Sequence, residues 1–196
     1  MMKKVLMRLL LLTLACLIAA MATVSARAPK ASDEEQRTEI RAMSQATLNK
    51  LYKEHPNAKR IIESCYGYAT FSNTGVKILL VSTGHGRGLA VNNETGEEVF
   101  MKMKEVGAGL GLGAKEFDLV FIFDNLEAWN KFISGQTKFG GQANMAATDG
   151  TVGGAIEGAA LASDGIWIYQ MTTKGLSIEA TLNGTKYYTD KKLNKK

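Results

Sequence analysis

Apolar positions recur along this chain with two different periods, and the change of period divides it. Between Ser32 and Glu54, Ile40, Met43, Thr47 and Leu51 fall three or four residues apart, and Leu48 and Tyr52 widen the stripe. That spacing gathers them on one face of an α-helix. Ser32-Asp33-Glu34-Glu35 has the S-x-x-E form, in which the serine and glutamate side chains each satisfy a free N–H of the first turn. The predicted helix therefore runs from about Asp33 to Glu54. Pro56 ends it. Asn57 is placed to cap a second, short helix, Ala58 to Ser64, with Ile61, Ile62 and Cys65 inward.

From Tyr66 the period drops to that of strands. Tyr66–Ser72 is aromatic-rich, Lys77–Thr83 is an apolar run, and Glu98–Lys104 alternates polar with apolar, as a half-exposed strand does. Gly107, Gly109, Gly111 and Gly113 fall on every second residue, which leaves one strand face bare for close packing. The chain is predicted to turn around Lys115–Asp118 into Leu119–Phe123. Asn125 caps a helix over Leu126–Ser134, closed by Gly135. Ile166–Thr172, Leu176–Leu182 and Lys186–Thr189 read as closing strands, with Asn92–Gly96 and Asn183-Gly184 as turns. The lysine-rich tail Lys191–Lys196 is expected to fray. Helices at the front, many strands behind and one inserted helix predict an α+β fold, built on an antiparallel, strongly coiled, glycine-rich sheet or partial barrel.

Glycine and proline placement sharpens the division. All 20 glycines lie between Gly67 and Gly184, and both prolines, Pro29 and Pro56, precede them. The expected organisation is a signal peptide over residues 1–26 and one domain over 27–196. That domain has a helical part, 27–65, and a glycine-rich β part, 66–190. Lys3, Lys4 and Arg8, the apolar run Leu9–Ala22 and the small residues Val24-Ser25-Ala26 have the layout of a cleaved export signal. The destination would be periplasm or cell envelope. Acylation at Cys16 is the lesser option, because Leu17–Ala22 stays apolar beyond it.

Charge and cysteine content exclude several function classes. Of 24 basic residues three lie in the leader, and the remaining 21 against 19 acidic residues leave a net +2. That balance does not suggest a nucleic-acid binder. Beyond the leader Cys65 is the only cysteine, which leaves no intrachain disulfide and no cysteine metal site. Neither H-E-x-x-H nor an acidic calcium loop occurs, and no cofactor motif is complete. Gly109-Leu110-Gly111-Leu112-Gly113 is G-x-G-x-G followed by charge and a strand, not a dinucleotide turn. His55 and His85 are the two histidines, and no nucleophile elbow accompanies them. No catalytic or metal-ligating residues are therefore assigned. Gly84-His85-Gly86-Arg87-Gly88 is the better place for ligand contact, since glycines admit close approach and Arg87 carries a planar fork suited to phosphate. The simpler alternative is a glycine-bent strand with Arg87 solvated. Lys102 and Lys104 share a strand face that is ordinarily just wet. The stripe on the first long helix is ordinarily core. Trp129, Phe132 and Trp167 are also most simply core.

The order of segments resembles the SYLF-domain proteins. The matching pieces are Gly67-Tyr68-Ala69-Thr70-Phe71, Gly84–Gly88, Gly107–Ala114, Leu119–Phe132 with Trp129-Asn130-Lys131-Phe132, Phe139-Gly140-Gly141-Gln142-Ala143, and Ile168-Tyr169 with Lys174-Gly175-Leu176. Ser72 stands where the family commonly has proline, and Lys115 where it often has glutamine. The resemblance implies a non-enzymatic module that binds anionic phospholipid, with an amphipathic N-terminal segment assisting. Placed on this chain, the apolar contacts would be Ile40, Met43 and Leu51, and the basic contacts Arg87, Lys102 and Lys104. The expected partner is an anionic membrane surface. The alternative is a structural or protein-interaction module of the envelope with no lipid ligand.

Overall fold

The computed structural model describes residues 31–72, 85–105, 117–137, 139, 156–172 and 185–195. Its elements belong to the unit Asp33–Lys196. In chain order they are α1 (Asp33–Glu54), α2 (Ala58–Ser64), β1 (Gly67–Ser72), β2 (His85–Asn92), β3 (Glu98–Glu105), β4 (Phe117–Phe123), α3 (Leu126–Ile133), β5 (Ala160–Ser163), β6 (Ile166–Thr172) and β7 (Thr185–Thr189). The strands form one seven-stranded sheet in the order β5-β6-β4-β1-β2-β3-β7, antiparallel at each pairing. The expected α+β class and coiled sheet are what the chain adopts.

The sheet's curl follows from its ring contacts. Four strand-to-strand steps separate β4 from β7, which is about 19 Å across a flat sheet at ~4.8 Å per step. Yet the Phe121 ring of β4 and the Tyr187 ring of β7 have centroids 5.0 Å apart. The sheet therefore curls into a half-barrel with those rings on its concave side. Phe71, Phe121, Phe123, Phe132 and Tyr187 fill that side, and α3 lies across it with Trp129 and Phe132 buried.

Small residues on β1 and β2 make room for these rings. A Cβ on Gly88 would lie 2.4 Å from the Phe71 ring, and one on Gly67 would lie 2.9 Å from Trp129. The strand alternative for the glycine segment holds from His85 onward: His85–Asn92 is one continuous strand, and Gly86 and Gly88 form part of the concave floor. The alternating glycines at 107–113 lie outside the described residues, as do Lys77–Thr83 and Leu176–Leu182.

The convex side is covered by α1 and α2. Ile40 and Met43 pack with Leu89, Phe100 and Leu193, and Leu48 and Leu51 pack with Ile62, Val120, Ile122 and Tyr169. Leu51 is fully buried, and truncating such a residue to alanine costs about 2–5 kcal/mol. Covering both faces explains why every residue of β4 is buried. β3 alternates as its sequence predicts, with Val99, Met101 and Met103 buried and Glu98, Lys102 and Lys104 at least partly exposed, except that Phe100 is enclosed beneath α1.

The inserted helix ends as its sequence demands. The Asn125 side chain accepts a hydrogen bond from the Ala128 N–H, and Gly135 takes the left-handed backbone (φ 72°) that closes it. Asn57 does not cap α2. Its backbone is itself helical, and its side chain donates to Glu157 Oε2 at 3.1 Å. Asp118, assigned to a turn from sequence, sits inside β4.

The tail does not fray over residues 190–194. Leu193 is 2% exposed. The Asn194 amide donates to the Phe100 carbonyl (2.7 Å), and its oxygen accepts the Phe100 N–H (3.0 Å). Arg37 Nε donates to the Leu193 carbonyl at 2.9 Å, and Lys192 pairs with Asp33. One apolar side chain and one amide, both usable only against β3, overcome the lysine-rich composition.

Candidate functional site

Strand register brings the predicted basic residues together. Arg87 on β2 lies opposite Lys102 on β3, and Lys104 on β3 lies opposite Lys186 on β7. Directly opposed residues point to the same face with Cβ atoms about 5 Å apart, and Lys102 and Lys104 share that face by alternation. Four cations therefore form a stepped group across β2, β3 and β7 on the convex side of the sheet. Lys104 and Lys186 are exposed, while Arg87 and Lys102 are half-buried. Sequence reasoning placed Arg87, Lys102 and Lys104. It missed Lys186, because nothing local shows that β7 pairs with β3.

The row through Arg87 continues across the sheet as Asp118, Ser72, Arg87, Lys102 and Tyr188. The carboxylate in this row, Asp118, and Asp190 just beyond β7 already have cations. Lys50 of α1 reaches Asp118 at 2.8 Å, and Ser72 donates to the other Asp118 oxygen. Lys102 reaches Asp190 at 2.8 Å, and Asp190 also accepts the Lys192 and Leu193 N–H groups. Burial pushes the Asp190 carboxyl up, but the Lys102 hydrogen bond, the Lys192 N–H, the Lys102 charge and the Leu193 N–H together hold it below its ordinary value.

Arg87 stands between these two pairs, and among the described residues it has no carboxylate partner. Its Nη1 is buried and has no hydrogen-bond partner among the described residues. A buried donor left unpaired costs about 1–3 kcal/mol. An anion placed against that nitrogen removes the deficit.

The apolar residues assigned to a membrane from sequence lie elsewhere. Ile40, Met43 and Leu51 are 1%, 6% and 0% exposed and face the sheet. Their stripe is core in this fold, because α1 is the cover of the convex side. The basic side chains, not the stripe, are what this face offers to solvent. Cys65 is half-buried, its thiol donates to the Ile62 and Gly67 carbonyls, and burial pushes that thiol up to about 11. A thiol held that high is not a nucleophile at neutral pH. Among the described residues no cluster of three His, Cys, Asp or Glu side chains is placed to hold a metal ion.

Fold and site together define a class: a helix-backed, curled antiparallel sheet whose convex margin gathers cations beyond those its carboxylates neutralise. Residues 104–196 match the Ysc84 family model, described as Las17-binding protein actin regulator. This match bears out, over residues 104–196, the resemblance to the SYLF family. It is also similar to a protein of Aeromonas veronii named beta cell expansion factor A. The two are 34% identical over 160 residues, which cover 82% of this chain and 59% of that protein. The matched stretch thus spans about three fifths of the relative's length.

Proposed function

We propose that this chain is an exported, non-catalytic protein of the cell envelope that binds anionic phospholipid at the convex margin of its sheet. The observation that carries the reading is the group Arg87, Lys102, Lys104 and Lys186 on adjoining register positions. Asp190 is the carboxylate paired into it, which leaves three net positive charges. At about 1 kcal/mol per cation near an anionic surface, three charges are worth on the order of 100-fold in affinity. Resemblance to a family associated with lipid binding supports the same reading, as does the leader over residues 1–26, which has the layout of an export signal. Phosphatidylglycerol and cardiolipin are the anionic lipids such a location supplies.

The test is co-sedimentation with vesicles of phosphatidylcholine alone or mixed with phosphatidylglycerol. Binding should require the anionic lipid, weaken steeply as salt rises, and fall at least tenfold in the double variant Lys104→Glu/Lys186→Glu. Equal and negligible pelleting with both vesicle types sinks the reading and leaves a structural or protein-interaction role in the envelope.

A further inference from the structure

We infer that Arg87 is the centre of a discrete phosphate-binding subsite, and not one interchangeable charge in a diffuse basic surface. The subsite rests on the lipid-binding reading for its physiological ligand alone.

Three observations converge on it. First, the neighbouring carboxylates are engaged: Asp118 by Lys50 and Ser72, Asp190 by Lys102 and the turn it caps. Asp118 lies two register positions from Arg87, and Asp190 is bound by its neighbour Lys102; each acid has been given to a lysine. Second, Arg87 Nη1 is buried with no described partner. A buried donor without a partner is rare in a folded protein, and the deficit marks a position where a hydrogen-bonding ligand would be gained. Third, the register gives Arg87 a hydroxyl neighbour, Ser72, on one adjoining strand and a cation, Lys102, on the other. A guanidinium there offers a planar fork, which matches two oxygens of a phosphate in a way that an ammonium does not.

The ligand chemistry is a phosphate group, met by the Arg87 fork with Lys102 beside it and Lys104 and Lys186 supplying field. Two sources share that chemistry: a lipid headgroup at a membrane, or a soluble phosphate ester or inorganic phosphate. No bond is made or broken in binding.

Charge-preserving variants separate a fork from a point charge. Arg87→Lys keeps the net charge but removes the fork, and Lys131→Arg makes the reciprocal change on α3, outside the basic group. Each is compared with the unsubstituted chain after circular dichroism has shown that it folds. In one arm, affinity is measured for phosphatidylcholine vesicles containing phosphatidic acid or phosphatidylglycerol. In the other, the thermal midpoint is measured in inorganic phosphate against chloride at equal ionic strength. The subsite requires that Arg87→Lys lose fivefold or more in vesicle affinity, or lose a phosphate-induced rise in midpoint, while Lys131→Arg does neither. A loss seen only with vesicles assigns the phosphate to a lipid headgroup, and a lost midpoint rise assigns it to a soluble source. If the chain binds anionic vesicles and Arg87→Lys matches it in both arms, the subsite is wrong and the lipid-binding reading survives. A phosphate-dependent midpoint abolished by Arg87→Lys, with no vesicle binding, supports the subsite and removes the lipid. No response in either arm removes both.

Discussion

At Gly88 a single hydrogen atom stands where other residues carry a methyl group, and the Phe71 ring fills the difference. An added Cβ would meet that ring at 2.4 Å and the Thr70 carbonyl oxygen at 2.6 Å. The ring is locked among Phe121, Phe132 and Tyr187, and the carbonyl belongs to the sheet ladder, so neither can retreat. At Gly86 the atoms met first belong to the Met103 side chain, led by its terminal methyl. A thioether chain can swing aside. Gly88→Ala should therefore cost about 2–3 kcal/mol or more, at the upper end of overpacking effects, and Gly86→Ala about 1 kcal/mol. Urea denaturation of the two variants checks the order, and equal losses would contradict it. The sequence shows the glycines but not their purpose. The ring that needs Gly88 arrives from the adjoining strand, and no local pattern announces which strand adjoins which.

Among the elements, the turn at residues 190–194 departs furthest from its composition. Asp190 makes it by accepting two backbone N–H groups and the Lys102 ammonium. Asp190→Ala strands all three donors, which should cost about 1–3 kcal/mol. Asp190→Asn can still accept the two N–H groups and gives up the ion pair alone, so it should cost less. The pH dependence has a definite sign. The folded-state carboxyl lies below its ordinary value of 3.8. Its contribution is therefore complete above that pH and is lost as pH falls through the lower, folded-state value. The stability gap between the unsubstituted chain and Asp190→Asn should be constant at pH 5–7 and close below about 3.8, as read by chemical denaturation across that range. The helices were the most legible elements: α1, α2 and α3 begin and end within a residue of their sequence signals, because caps and apolar periodicity are local. The turn was not legible, because Leu193 and Asn194 look like tail residues until β3 is beside them. The candidate site divides in the same way. Arg87, Lys102 and Lys104 could be named from the glycine context and the strand alternation. Lys186, Asp190 and the Lys50–Asp118 pair depend on contacts between distant segments.

Over the whole molecule the sheet is a wall shared by two cores. The concave core holds Trp129 against Phe123. On the convex side Trp167 packs at the edge of the other core, and its indole N–H donates to Asp124 at 3.0 Å. Along β4 adjacent residues serve opposite cores, Leu119, Phe121 and Phe123 the concave and Val120 and Ile122 the convex, so neither side can lose that strand without the other. The unit Asp33–Lys196 should therefore unfold in one step. Single-tryptophan variants, Trp129→Phe and Trp167→Phe, test this by fluorescence: the two remaining reporters should give the same denaturation midpoint once each variant's own stability, read by circular dichroism, is taken into account. A reporter that departs from its own dichroism curve would show that the cores separate.

The contacts between α1 and the 190–194 turn also set a schedule. Arg37 waits for Leu193 across 156 residues, and Asp33 waits for Lys192 across 159. A ribosome adding about 5–20 residues per second needs roughly ten to thirty seconds to bridge that interval. Throughout it α1 has neither the strands beneath Ile40 and Met43 in full nor the segment that fastens its first turns. The helix made first is the one secured last, and for that time its apolar stripe is open to whatever the emerging chain meets.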